Sequence, residues 1–262
     1  MGKLIVRIYD FSYSTFMWFV FGIGVIVFFF FVWITYLIIC LPDPDRKSMH
    51  FLISFWAKFS LLICPMLKIK MTGGKNLDPK RTYIFVVNHQ SLSDILVVLY
   101  LQYPFKFMAK KELFSIPFFG WGMELTGYIP LVRGNRESGK HALDLAKAYL
   151  SRGMSVLMFP EGTRSPDGTI KNFKRGAFRL SVELGIPVVP IVLDGTKDLI
   201  SKGKHLIPRK RVPVEAVVGE PCEPPKITRE VHEIDIFMGE IRSRMIEALH
   251  QMRENRKRAP SP

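Results

Sequence analysis

From Phe16 to Cys40 the sequence carries no charged residue, and Trp18, Trp33 and the run Phe28-Phe29-Phe30-Phe31 lie inside it. The stretch exceeds the roughly 20 apolar residues needed to span a bilayer. Any fold of this chain must therefore place a long greasy helix somewhere. It is too long for a secretory signal, and no small-residue cleavage site follows, so it reads as a retained helix. A polar turn from Pro42 to Asp45 and the basic pair Arg46-Lys47 come next, and Met49 to Leu67 is again mostly apolar, broken by Lys58. Lys58 can snorkel toward head groups. The expectation is a membrane-anchoring two-helix segment over residues 1–66, which either crosses the bilayer or sits in one leaflet. Basic residues flank the first helix on both sides. The larger basic burden lies beyond residue 67, which places the rest of the chain on the cytoplasmic face of the cell's inner membrane.

The 262 residues allow one sizeable domain beside that anchor. The 48% of hydrophobic residues argues against a disordered chain, and the net charge is +14. The charge suits an anionic membrane surface, a phosphorylated substrate or nucleic acid. Cys40, Cys64 and Cys222 form no Cys-x-x-Cys pair, so buried thiols in a reducing compartment are expected.

From Leu67 the pattern alternates. Strands are expected at Leu67–Met71, Thr82–Val87, Phe105–Met108, Tyr128–Val132, Ser155–Phe159, Val188–Leu193 and Val212–Val218. Helices are expected at Ser93–Gln102, Phe118–Leu125, Glu137–Arg152, Ala177–Leu184 and Arg229–Arg253, with Gly153 and Gly185 as helix stops. Alternation of this kind predicts an α/β domain over residues 67–253, a mainly parallel sheet flanked by helices. Residues 254–262, charged and Pro-containing, read as a disordered tail.

In such a sheet ligands bind beyond the carboxyl ends of the strands. Asn88-His89-Gln90-Ser91-Leu92-Ser93-Asp94 follows the apolar run Tyr83–Val87 and precedes a helix that Ser91 or Ser93 is expected to cap. An ionised Asp94 near His89 would fix the imidazole tautomer and stabilise its charged form. The same spacing also arises by chance and can serve only as a cap. Phe159-Pro160-Glu161-Gly162-Thr163-Arg164-Ser165 follows another strand and offers a planar guanidinium for an anion. Lys171, Lys174 and Arg175 add cations, and in isolation the segment equally reads as a structural turn. Gly127 to Arg133 is a strand ending in a cation, and Ile186–Val192 is an apolar strand bounded by prolines.

These four stretches, in this order, resemble the glycerolipid acyltransferase family, and more narrowly its bacterial 1-acyl-sn-glycerol-3-phosphate acyltransferases. The first, third and fourth match closely at His89, Glu161 and Pro187, while Pro130 and Leu131 depart from the family's Phe and Ile and Arg133 is kept. The resemblance covers residues of about 67 to 220. It implies that His89 takes the proton from the free hydroxyl of lysophosphatidate as that oxygen attacks an acyl thioester, with Asp94 orienting the ring and no acyl-enzyme. Glu161, Gly162, Thr163 and Arg164 would hold the glycerol phosphate, with Arg133 and Lys110 as further candidates. The donor would be acyl-CoA or an acyl carrier protein. Basic residues such as Lys106, Lys110 and Lys111, or Lys202, Lys204, Arg209, Lys210 and Arg211, would face anionic lipid or that acidic carrier.

Within the family the resemblance leaves glycerol 3-phosphate or another lysophospholipid open as the acceptor, and rival classes are weaker. A lipid hydrolase lacks its Gly-x-Ser-x-Gly elbow. A tethered scaffold for anionic lipid or nucleic acid leaves the paired motifs unexplained, and no nucleic-acid motif is present. Without a Walker loop, dinucleotide fingerprint or metal-ligand cluster, neither a cofactor nor a metal is expected.

Overall fold

The computed structural model describes residues 2–39, 42–63, 67–75, 77–199, 206–207, 211–226 and 231–258. Cys40, Cys64, Lys202, Lys204, Arg209 and Lys210 lie outside them. Strands form where β-branched and aromatic residues cluster: β1 (Leu67–Gly73), β2 (Ile84–Val87), β3 (Phe105–Lys110), β4 (Ile129–Leu131), β5 (Ser155–Met158), β6 (Val188–Asp194) and β7 (Val212–Val218). They build one seven-stranded sheet in the order β1-β7-β6-β2-β5-β3-β4. All pairings are parallel except β6 with β7. β2 therefore sits between β5 and β6 with its four residues buried on both faces, and the carboxyl ends of β2, β3, β4, β5 and β6 share one edge.

Period-two alternation sends residues to two cores. Phe85, Val87, Phe105, Phe107, Leu157 and Ile191 meet α3 (Asp94–Leu99) and α4 (Phe119–Thr126) on one face. Ile84, Val86, Val156, Val188 and Val192 meet α5 (Arg136–Ser151), α6 (Gly176–Leu184) and α7 (Val231–Arg258) on the other. Each fully buried side chain of this kind contributes about 1.5–3 kcal/mol. Gly153 and Gly185 adopt the left-handed backbone expected of helix stops, with φ of 81° and 65°.

Two long apolar helices precede the sheet, α1 (Gly2–Ile39) and α2 (Lys47–Ile63). Over Arg7–Ile39, α1 is long and apolar enough to cross a membrane. It lies along α2 and α4, where Phe21 and Phe28 meet Trp56, and Phe29 meets Phe118 and Trp121. Its other side leaves Phe11, Phe16, Phe19 and Phe31 exposed. α2 is two-faced. Met49, His50, Trp56 and Ala57 are buried while Phe51, Phe55 and Phe59 are exposed, and Ala57 and Ile53 join the core under the sheet. A boundary at residue 66 thus does not separate two packing units, because α2 completes the α3–α4 layer. Lys58 does not extend outward; its ammonium lies over the Tyr100 ring, 5.3 Å from the centroid.

Two further expectations are corrected. The charged segment expected to be disordered from Glu254 is helical through Arg258. Arg253 and Arg256 each bind Asp194 at 3.0 Å and Lys257 pairs with Glu254 one turn back, so the charges that suggested a solvated tail hold the helix in place. Lys106, expected on a lipid-facing surface, is wholly buried. Its ammonium donates to the Thr126 carbonyl at the end of α4 and lies 5.5 Å from the Tyr149 ring centroid.

Burial pushes the Lys106 ammonium down to about 7, with Arg46 adding to the effect. An unfolded chain keeps that proton to about pH 10.4. Between these values the unfolded state binds more protons, so the penalty present near pH 7 is relieved as pH rises. The stability of Lys106→Met relative to wild type should therefore decline from pH 7 to pH 9.5, as measured by urea unfolding of both in detergent. A pH-independent difference would count against a charged burial penalty at this lysine.

Candidate active site

The site begins where β2 ends. Asn88 continues the ladder with its side chain: its Nδ2 donates to the Leu193 carbonyl at 2.9 Å, and the Leu193 amide donates to its Oδ1 at 2.7 Å. The backbone is thereby free to turn. Gln90 follows the same logic, donating from Nε2 to Leu193 O at 2.9 Å. Between them His89 leaves the sheet. Its Nδ1 lies 2.7 Å from Asp94 Oδ2, and the same oxygen accepts the amides of Gln90 at 2.7 Å and Ser91 at 2.9 Å. Asp94 is completely buried; these donors replace the water lost by Oδ2, while Oδ1 has no hydrogen-bond partner among the described residues. The His89 ring stacks on Phe159, with centroids 4.2 Å apart and planes 28° from parallel. One nitrogen is committed to Asp94 and the ring plane is set by Phe159, which leaves Nε2 as the ring's working atom.

Neither Ser91 nor Ser93 caps α3 as expected. Ser91 Oγ accepts the Ser93 amide at 3.2 Å and meets Ser93 Oγ at 3.0 Å. The Asp94 carboxylate closes the turn instead, because it can accept several amides at once.

The loop after β5 reaches the same edge. Glu161 Oε1 accepts the His89 amide at 2.9 Å and Oε2 accepts the Lys171 amide at 3.1 Å. The Ser165 amide donates to the His89 carbonyl at 2.7 Å. Burial raises the Glu161 carboxyl above its ordinary value, so a hydrogen-bonded carboxylate here is a structural clamp. Both of its oxygens are engaged with backbone, which makes it the member of the expected anion set least suited to touch a phosphate. Gly162 has a φ of +70°, and a Cβ there would come within 2.9 Å of Lys174 Cε and Nζ; glycine permits both the turn and the approach of that ammonium. Lys171 Nζ donates to the Arg164 carbonyl at 2.8 Å. Thr163 is exposed at the loop surface.

Arg133, just beyond β4, is drawn to the same place. Burial first and then the charge of Arg164 lower its pKa, so the two guanidiniums are near enough to feel one another. Like charges held this close favour an anion between or beside them. Lys110 is more peripheral, exposed and paired with Glu112 at 2.9 Å. The structure thus brings His89, Asp94, Glu161, Gly162, Arg164 and Arg133 into one edge of the sheet, with Lys110 and Thr163 at its rim. Asn88, Gln90 and Phe159 stood in the quoted motifs without a role; an amide side chain directly after a buried strand was the available signal for the first two.

The arrangement offers an oriented base next to a cluster of cations, and the two nearby serine hydroxyls bond one another rather than the imidazole. Among the described residues no group of three or more His, Cys, Asp or Glu side chains is placed to hold a metal ion.

The model of the acyltransferase family matches residues 68–194. The chain is 40% identical over 170 residues to a 1-acyl-sn-glycerol-3-phosphate acyltransferase of Chlamydomonas reinhardtii, covering 64% of this chain and 51% of that protein. It is 37% identical over 213 residues to a chloroplastic counterpart in Arabidopsis thaliana, covering 80% and 57%. It is 32% identical over 168 residues to the protein of that name in Salmonella typhimurium, covering 63% and 67%. The chain spans about half the length of the algal and plant relatives. The crystal structure of a 1-acyl-sn-glycerophosphate acyltransferase from Thermotoga maritima superposes with a TM-score of 0.79 at 28% identity, over 98% of this chain and 99% of that one.

The geometry fixes a tautomer. With Nδ1 donating to Asp94, neutral His89 carries its proton on Nδ1 and a lone pair on Nε2. Asp94→Ala should reverse this, because without an acceptor for the Nδ1 proton the imidazole reverts to its Nε2–H form. Nitrogen-15 NMR of histidine-labelled protein is expected to show the Nδ1–H form in wild type and the Nε2–H form in the variant. The same tautomer in both would mean that Asp94 does not orient the ring.

Proposed function

This chain belongs to the acyltransferase family, and from that premise we propose that it transfers an acyl group from a thioester donor to the sn-2 hydroxyl of lysophosphatidate, giving phosphatidate. The observation that carries the reading is the coupling of an oriented imidazole to a cationic loop through the backbone of His89 itself. A base beside an anion site, whose neighbouring serines Ser91 and Ser93 bond one another, suits an acceptor that brings its own hydroxyl and its own phosphate.

His89 Nε2 accepts the proton of the acceptor hydroxyl as that oxygen attacks the thioester carbonyl. Asp94 stabilises the imidazolium that results. Collapse of the tetrahedral intermediate breaks the carbon–sulfur bond, and the imidazolium returns its proton to the leaving thiolate, so the base is regenerated. Arg164 and Arg133 hold the phosphate, joined by Lys171 and Lys174, and Lys110 adds charge at the rim. Glu161 and Gly162 shape the loop, and Thr163 offers a hydroxyl. Acyl-CoA and an acyl carrier protein both supply the thioester this chemistry requires, and the steps use only side chains and substrate.

Substrate and product carry acyl chains, so the exposed apolar sides of α1 and α2 have a use. They seat the protein in the bilayer and set the site near the head groups, with the α/β domain on the cytoplasmic face of the inner membrane. Basic surface beside the site adds about 1 kcal/mol per residue on anionic lipid.

General-base catalysis is typically worth roughly 10²–10⁴ in rate, so His89→Ala should lower phosphatidate formation by that factor. Arg164→Ala should act mainly on KM for lysophosphatidate. The assay offers lysophosphatidate or glycerol 3-phosphate with each donor to purified protein in vesicles. Undiminished turnover by His89→Ala would refute the mechanism.

A further inference from the structure

The C-terminal helix lies outside the residues matched by the family model, and no step above uses it. Its apolar stripe, Phe237, Ile241, Met245, Leu249 and Met252, is buried against the sheet. That burial fixes where its arginines point. Arg242 donates from Nε to the Lys171 carbonyl at 2.9 Å and from Nη2 to the Ile170 carbonyl at 3.0 Å. About three turns further on, and so on the same face, Arg253 donates from Nη2 to the Gly168 carbonyl at 2.8 Å. The same group binds Asp194 at 3.0 Å, and Asp194 lies 3.5 Å from Gln90 Nε2 in the loop that carries His89.

Gly168 to Lys171 has no regular structure, so its carbonyls have no ladder to join. The helix supplies the donors. A third grip falls just past Lys174, where Arg175 forms a two-pronged ion pair with Asp235 of α7 at 2.6 and 2.7 Å. The cationic loop is therefore held from one side by His89 and from the other by α7.

We propose that Arg242 and Arg253 are positioning residues for the acceptor's phosphate. They hold the loop that carries Arg164, Lys171 and Lys174 without touching substrate, and α7 thereby sets the affinity for a phosphate-bearing acceptor. The inference rests on the reading of those cations as the phosphate site. A guanidinium spans two carbonyls as a planar fork, whereas an ammonium satisfies them as a point charge. Arg242→Lys thus keeps the charge and loses the fork, and separates geometry from long-range attraction.

The test compares full-length wild type, Arg242→Ala, Arg242→Lys and Arg253→Ala in detergent, each checked for folding by circular dichroism. The alanine variants should raise KM for lysophosphatidate on the order of 10-fold, the scale expected from a displaced binding group. KM for acyl-CoA and kcat should stay within about 2-fold, since the base is untouched, and Arg242→Lys should recover part of the loss. An unchanged KM for lysophosphatidate, or a loss confined to kcat and the folded fraction, would overturn the proposal. Should wild type transfer no acyl group, the acyltransferase reading fails separately, and glycerol 3-phosphate binding decides here. Thermal stabilisation of wild type but not of Arg242→Ala supports the positioning role; equal stabilisation, or none of wild type, rejects it.

Discussion

The peptide unit on either side of His89 is held by the loop after β5: Glu161 accepts its N–H and Ser165 donates to its carbonyl. Most of the site depends on this pair of bonds. It exists because β5 is the parallel neighbour of β2, so that two loops far apart in sequence emerge side by side. A base and an anion-binding loop joined through one residue's backbone move together or not at all. The spacing between the imidazole and the cations of that loop is then a property of the sheet, not of flexible side chains.

The charges are arranged by the same logic. Asp94 is completely buried, and an imidazole and two amides converge on one of its oxygens. Glu161 is raised by burial but retained by two amides. The cations, by contrast, include a like-charged pair: the affinity of Arg133 for protons falls through burial first and then through the charge of Arg164. Acidic groups close the loops internally, and basic groups are turned toward the edge. A chain of net charge +14 thus concentrates unmatched positive charge where an anion is wanted.

Much of this was legible in the sequence. All seven strands lie where β-branched and aromatic runs place them, and β2, β5 and β6, buried along their whole length, are the near-continuous apolar runs such strands require. His89, Asp94 and Arg164 were readable because each follows a strand end. What was not legible depended on contacts distant in sequence. The composition of Glu254 to Arg258 is that of a solvated tail, and its helix is held by ion pairs to Asp194, Glu215 and Glu254. Lys106 has an ordinary sequence neighbourhood, and its burial follows from the end of α4 and Tyr149 arriving above it. Glu161 looked like a ligand because a carboxylate beside glycine and arginine carries no local sign that two amides will claim it.

β1 occupies the margin of the sheet with β7 as its neighbour, Leu67 opposite Val212. During synthesis β1 leaves the ribosome early and its partner late. At 5–20 residues per second the intervening chain takes on the order of ten seconds to appear. For that interval β1 lacks its partner, and until α3 and α4 emerge α1, α2 and β1 form a nascent apolar segment with α2 uncovered. A bilayer surface or a chaperone is the natural host for such a segment, so the order of translation itself favours membrane contact before the catalytic half of the chain is complete.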